Sequence, residues 1–177
     1  AVEKGEWPRS QGIELRGKTL GIVGFGRIGQ KLGKMAKAIG MNVIAFDIFH
    51  IPGIEEELGI PYVEMDELLA KSDFISVHAP AVDGGALINA ERIAKMKDGV
   101  VIINTSRGTN VDEAALLDAL NSGKVRAAGL DVYADEPATN VALYSHPMVS
   151  CTPHIGSATV EAQGRIGEEL VEIISKM

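Results

Sequence analysis

Leu20-Gly21-Ile22-Val23-Gly24-Phe25-Gly26-Arg27-Ile28-Gly29 is the stretch whose reading decides the fold. A short apolar run leads into Gly-x-Gly-x-x-Gly, and a helical periodicity opens directly after it. That context turns a common glycine pattern into a dinucleotide fingerprint. Gly24 allows the tight turn, Gly26 lets backbone approach a pyrophosphate, and Gly29 lets helix and strand pack closely. The N–H groups at the start of the helix have no partner within it and face the anion. Asp47 closes the next apolar run, about twenty residues on, where a carboxylate accepts the ribose hydroxyls of adenosine. Ile48, Phe49 and His50 follow it with no Arg or Lys. A 2′-phosphate would therefore meet Asp47 without a counter-charge, which predicts NAD rather than NADP as the cofactor.

Working outward, strands and helices alternate. Strands are predicted at 20–23, 43–46, 74–77, 100–103, 127–132 and 149–151. Helices are predicted at 28–39, 55–58, 66–70, 90–97, 113–120 and 158–176. Gly40, Gly59 and Gly123 stand at helix ends, and Asn89 is placed to cap the helix after it. Val100–Ile103 is apolar at every position, as expected of a strand covered on both faces. In the helix after the fingerprint, Ile28, Leu32, Met35, Ala36 and Ile39 form the stripe expected to face the core. Arg27, Lys31, Lys34 and Lys37 are expected on its solvated side, with Arg27 also inside the phosphate turn. The alternation predicts an α/β fold: a doubly wound parallel sheet, a Rossmann-type dinucleotide-binding domain in three α/β/α layers.

Bulk properties exclude several classes. The chain has 177 residues, enough to bury about 70% of its unfolded surface without staples. Its net charge of −7 and the absence of a long basic run argue against nucleic-acid partners. No apolar stretch is long enough to span a bilayer, and no signal peptide opens the chain, so no membrane partner and a cytoplasmic location are expected. A lone cysteine, Cys151, rules out an internal disulfide framework and is expected as a small buried residue of the last strand. His50 and His146 lack a partner at metal-ligand spacing, so no metal site is expected. Residues 1–18 read as a polar lead-in or linker, Val2 and Trp7 included, and residues 19–177 as the folded domain. An opening Ala1 in place of Met fits a piece of a longer parent.

Ligands of open α/β sheets bind beyond the carboxyl ends of the strands. Asp47, His78-Ala79-Pro80, Thr105-Ser106-Arg107, Asp131 and His154 all fall at or just past predicted strand ends. Arg107, Glu136 and His154 together suit hydride exchange between a nicotinamide and a 2-hydroxy or 2-keto acid. A guanidinium forks onto a carboxylate in a way Lys does not reproduce. An imidazole titrates near neutrality and moves the hydroxyl proton, and a carboxylate beside it favours its protonated form.

Gly24–Gly29, Asp47, Asn104–Gly108, Gly129-Leu130-Asp131-Val132, Glu136-Pro137 and Thr152-Pro153-His154-Ile155-Gly156 resemble, in that order, the D-isomer-specific 2-hydroxyacid dehydrogenases. The likeness runs from about Gly12 to the C-terminus. Within the family, the 152–156 segment followed by Glu161-Ala162-Gln163 looks most like the D-3-phosphoglycerate dehydrogenases of serine synthesis. The resemblance implies that Arg107 binds the substrate carboxylate, that His154 is the general acid/base, and that Glu136 hydrogen-bonds His154. It implies that Gly24, Gly26, Arg27, Ile28 and Gly29 hold the pyrophosphate and Asp47 the ribose. Ala79 and Pro80 then pack along NAD. Thr105, Ser106, Arg107, Asp131, His154, Gly156 and Ser157 border its nicotinamide half.

The same likeness implies a second, substrate-binding domain built mostly from sequence ahead of the fingerprint, and only residues 1–18 stand there. The chain is thus expected to bind NAD and to turn over little by itself, its small-molecule substrate needing the missing domain. The parent is expected to be a homo-oligomer, a dimer. Val82-Asp83-Gly84-Gly85-Ala86 departs from the longer, Thr-containing stretch of the family and reads as locally loose. Alternative readings are a glyoxylate/hydroxypyruvate reductase or other D-2-hydroxyacid dehydrogenase, and a non-catalytic NAD(H)-sensing module of the same family. A methyltransferase would use the glycine loop but not Arg107, Glu136 and His154 together.

Overall fold

The computed structural model describes Gly5, Trp7 and residues 12–176. The Val2 reading and most of the lead-in lie outside the described residues. Trp7 and residues 12–17 are exposed, and Gly17 turns the chain with φ 75° into the first strand. Six strands form one parallel sheet: β1 (Thr19–Val23), β2 (Asn42–Phe46), β3 (Phe74–Val77), β4 (Val100–Asn104), β5 (Val125–Leu130) and β6 (Val149–Cys151), in the order β2-β1-β3-β4-β5-β6. Between them run α1 (Arg27–Ala38), α2 (Ile54–Leu58), α3 (Met65–Lys71), α4 (Ala90–Lys95), α5 (Glu113–Ser122) and α6 (Val141–Tyr144), with α7 (Val160–Ser175) after β6. This is the expected Rossmann-type architecture. A parallel bridge between Ala45 and Tyr62 marks where a further edge strand would lie beside β2.

Alternation along the strands sends side chains to two clusters. On one face Val23, Ile75, Val77, Ile102, Ala128 and Leu130 pack with Leu68 and Leu69 of α3, Ile93 of α4 and Leu116 and Leu120 of α5. On the other, Leu20, Ile22, Val43 and Ala45 pack with Ala36 of α1, Leu58 of α2 and Ile60. β4 shows the pattern directly, with Val100 and Ile102 fully buried and Val101 and Ile103 half-buried.

The stripe expected on α1 holds at Ala36, which is buried, and at Leu32, which packs against the smaller cluster, and is corrected at its other positions. Ile28, Met35 and Ile39 are 68%, 60% and 51% exposed, and the buried positions are Gly29, Gly33 and Ala36. The helix lies so close to the sheet that a Cβ on Gly29 would sit 2.4 Å from the Gly24 carbonyl oxygen, and one on Gly33 2.7 Å from Ile60 Cδ1. Only small residues fit that contact, and Ile28, Met35 and Ile39 are turned outward. Lys37 is no simple solvated charge either, since its Nζ donates to the carbonyls of Leu58 and Gly59 and so closes α2.

Helix ends follow local chemistry. Asn89 caps α4 by accepting from Arg92 N, Asp112 caps α5 from Ala114 N and Ala115 N, and Gly59 and Gly123 take the left-handed conformation. Gly84 and Gly85 both carry positive φ, a conformation open to glycine. Cys151 lies in β6 but is exposed, contrary to expectation. β6 is an edge strand, and α7 contributes no buried residue, so Ile166, Leu170, Ile173 and Ile174 form an uncovered stripe. Among the described residues no helix is long and apolar enough to cross a membrane.

Ile102, fully buried at the centre of the larger cluster, tests this core. Ile102→Ala is expected to cost about 2–5 kcal/mol. In urea the unfolding midpoint falls while the slope stays unchanged; an unmoved midpoint would place Ile102 outside the core.

Candidate active site

The first half of the site forms where β1, β2 and β3 end. A Cβ on Gly24 would lie 2.5 Å from Ala79 N and 2.7 Å from the His78 carbonyl carbon, and Gly24 has φ 92°. Only glycine allows the turn after β1 to touch the segment after β3. Asp47 locks the turn from the other side, accepting from Phe25 N at 2.6 Å and from Phe49 N at 3.0 Å. Gly24, Gly26, Asp47, Ala79 and Pro80 thereby line one crevice of about 180 Å³, with Ile48 and Val82 at its rim. The start of α1 opens next to it, with no side-chain cap and no acidic residue in its first turn. A Cβ on Gly26 would meet nothing within 4 Å. Uncapped N–H groups, room for close backbone approach and an adjoining carboxylate fit a dinucleotide. Arg27 and Ile28 are exposed in that first turn, and Gly29 is buried beneath it.

His78 forms part of the crevice wall. Its Nε2 lies 2.8 Å from Ser76 Oγ, and burial holds its ring below the usual histidine value. Burial there favours the neutral imidazole over the charged one.

The second half gathers beyond β4, β5 and β6. The turn carrying Arg107 is built on buried amides. Asn104 Nδ2 donates to Arg107 O, while its Oδ1 accepts from Ser106 N and Ser106 Oγ. Asn110, fully buried in a 3-10 turn at Gly108–Asn110, donates to Ala79 O at 2.9 Å and to Ser106 Oγ at 3.1 Å. One side chain thus ties the cofactor crevice to the Arg107 turn. Arg107 itself is exposed, and its guanidinium bonds back to Ser106 O at 2.6 Å.

Gly108 brings this turn against the loop after β5. A Cβ there would fall 1.8 Å from Tyr133 O, so no larger residue fits without displacing that loop. Tyr133 N in turn donates to Glu136 Oε1 at 3.2 Å, and Glu136 Oε2 lies 2.7 Å from His154 Nδ1. The expected pairing of Glu136 with His154 is present. Glu113 of α5 steadies the loop by accepting from Ala134 N and Asn140 Nδ2. The His154 bond, seconded by the Tyr133 N–H, holds the Glu136 carboxyl below its ordinary value. Tyr133, Tyr144, Cys151 and Pro153 continue from this pair into an apolar cavity of about 480 Å³, none of whose lining residues is Lys or Arg.

Asp131 is buried and joined to Gly156 N, while Thr105 and Ser157 are exposed and line neither cavity. Arg107 makes no hydrogen bond to Glu136 or His154 and reaches them only through Gly108 and Tyr133. Spacing did not single out Ser76, Asn110, Glu113 or Tyr133, because each acts through a tertiary contact with no periodic or motif signal. Gly108 was visible only as the last residue of the Arg107 motif. His50 stacks on Tyr62 with ring centroids 4.0 Å apart, and His146 Nδ1 accepts from Met148 N.

Residues 1–156 match the family described as D-isomer specific 2-hydroxyacid dehydrogenase, NAD binding domain. A hydroxypyruvate reductase of Thermotoga maritima is 50% identical over 183 residues, covering 99% of this chain and 58% of that protein. A D-3-phosphoglycerate dehydrogenase of Mycobacterium leprae is 48% identical over 171 residues, covering 95% of this chain and 32% of the other. Among solved structures, the D-lactate dehydrogenase of Aquifex aeolicus, complexed with NAD and lactic acid, matches at 37% identity with a TM-score of 0.89, over 98% of this chain and 58% of that one. The chain thus spans 58% or less of the length of these relatives. Its sheet, its glycine crevice and its sequence agree: this chain belongs to the D-isomer-specific 2-hydroxyacid dehydrogenase family, as an NAD-binding domain.

Proposed function

We propose that this chain is the cofactor half of an NAD-dependent oxidoreductase acting on a D-2-hydroxy acid, with Arg107, Glu136 and His154 as its contribution to the chemistry. The observation that carries the reading is the 2.7 Å contact between His154 Nδ1 and Glu136 Oε2, held beside the Arg107 turn by the close approach of Gly108 to Tyr133. Glu136 fixes one ring nitrogen and leaves Nε2 for proton exchange with a hydroxyl. Arg107 supplies the charge for a substrate carboxylate.

Gly24, Gly26, Arg27, Ile28 and Gly29 hold the pyrophosphate, Asp47 the ribose, and Ala79 and Pro80 the flank of NAD. Thr105, Ser106, Asp131, Gly156 and Ser157 border the nicotinamide end. When bound, NAD supplies the carbon that accepts or returns hydride. Residues 19–177 act as the cofactor domain, and a substrate domain elsewhere in the parent closes over the site and excludes water.

D-3-Phosphoglycerate is the substrate favoured by the Thr152–Gly156 and Glu161-Ala162-Gln163 segments and by the likeness to the M. leprae enzyme. Serine synthesis and a cytoplasmic dimer are the corresponding setting. The likeness to the T. maritima hydroxypyruvate reductase, at 50% identity, supports hydroxypyruvate or glyoxylate as a second reading. Comparing kcat/KM of the full-length enzyme on these acids decides between them.

In that full-length enzyme, His154→Ala is expected to lower kcat by ~10²–10⁴-fold while the Kd for NADH stays within about twofold. Equal losses in both would make His154 a structural residue.

A carboxyl whose folded value is depressed contributes its bond above the unfolded value and loses it as pH falls through the folded one. The Glu136–His154 link is therefore expected to be complete at neutral pH, to persist through the ordinary glutamate range and to break only in stronger acid. Carboxyl ¹³C titration of Glu136 in this chain gives a midpoint below that of an ordinary glutamate, and His154→Ala returns it upward. An ordinary midpoint in the unaltered chain would remove Glu136 from the pair.

A further inference from the structure

Among the described residues, His154 is the one residue other than glycine with positive φ, at 53°. A side chain bearing a Cβ adopts this left-handed conformation at a cost, and it persists where surrounding contacts over-determine it. Those contacts converge on one carboxylate. Asp131, at the end of β5 and 5% exposed, accepts from Thr152 Oγ1 at 2.6 Å and Ile155 N at 2.9 Å through Oδ1, and from Gly156 N at 2.9 Å through Oδ2. The three donors bracket His154 on both sides in sequence. A Cβ on Gly156 would lie 3.0 Å from Oδ2, so the carboxylate also sets how closely that residue approaches.

We propose that Asp131 is a positioning residue for His154: its carboxylate clamps the Thr152–Gly156 turn, fixes the left-handed backbone at 154, and so delivers the imidazole to Glu136. The clamp rests on the reading of His154 as the acid/base group but acts before cofactor or substrate arrives. Three of the roughly four acceptor positions of a carboxylate are used by the turn, which leaves one toward the nicotinamide border. Charge-assisted bonds to backbone N–H groups are among the stronger hydrogen bonds, so the arrangement is well able to offset the backbone strain. Consistent with this, burial alone would raise the Asp131 carboxyl, yet the Thr152 hydroxyl and the two N–H groups outweigh it and hold it below the ordinary value.

The test uses this chain, isotope-labelled, without cofactor or substrate, so it stands or falls independently of turnover. In Asp131→Asn the charge is lost and an amide NH₂ confronts a backbone N–H. Amide hydrogen exchange at Ile155 and Gly156 is expected to accelerate ~10-fold or more, and the His154 Nδ1 resonance to lose its Glu136-bonded shift, while exchange in β1–β4 is unchanged. Where D131N does not melt cooperatively, Thr152→Val removes one of the three donors. It is expected to change the same signals in the same direction by about threefold, and Thr152→Ser, which keeps the hydroxyl, to restore them. Unchanged exchange at Ile155 and Gly156, together with an unmoved His154 ring signal in a folded variant, would overturn the proposal.

Discussion

Six strands in parallel register place all their carboxyl ends on one edge of the sheet, and the site depends on that constraint. β1, β3 and β4 pack with α3, α4 and α5 on one face, and β1 and β2 pack with α1 and α2 on the other. A strand slip by one residue would exchange the two faces and expose Ile22, Ile75 or Ile102. The register is therefore fixed by the apolar pattern, and the polar residues that follow each strand are fixed with it. Asp47, His78, Asn104, Asp131 and Thr152 all inherit their positions in this way.

Close backbone approach then joins these strand ends into two halves of one site. Gly24 meets the Ala79 backbone, Gly29 meets the Gly24 carbonyl, and Gly108 meets the Tyr133 carbonyl. Buried side chains extend those contacts: Asn110 links Ala79 to Ser106, and Asp131 links β5 to the His154 turn. Arg107, Glu136 and His154 are exposed, while Asn104, Asn110 and Asp131, which hold the turns of Arg107 and His154, are buried. On the proposed function, this division keeps the side chains assigned to the chemistry accessible while their backbones are over-determined.

Much of this was legible in the sequence because it rests on local pattern. β3 was predicted with its observed ends because Phe74–Val77 is a short apolar run closed by His78-Ala79-Pro80, and the capping role of Asn89 follows from side-chain chemistry alone. The buried face of α1 was not legible, because hydrophobicity ranks Ile28 and Met35 above Gly29 and Gly33, and only the proximity of the sheet reverses that order. Cys151 was misjudged because nothing in its neighbours marks β6 as an edge with α7 swung clear of it. The contact between Glu136 and His154, eighteen residues apart, came from family likeness and not from spacing. The clamp by Asp131 left no trace in the sequence, since three donors on one carboxylate are a property of the folded turn.

A calorimetric titration of this chain with NADH, repeated with NADPH, tests the account most directly. Asp47, with Oδ2 bonded to Phe25 N of the glycine turn, Oδ1 bonded to Phe49 N, and no cation in Ile48, Phe49 or His50, disfavours a 2′-phosphate. Saturable binding of NADH, with NADPH weaker by about tenfold or more, is the predicted result. No NADH binding by a chain that melts cooperatively, or equal affinity for the two, would contradict it.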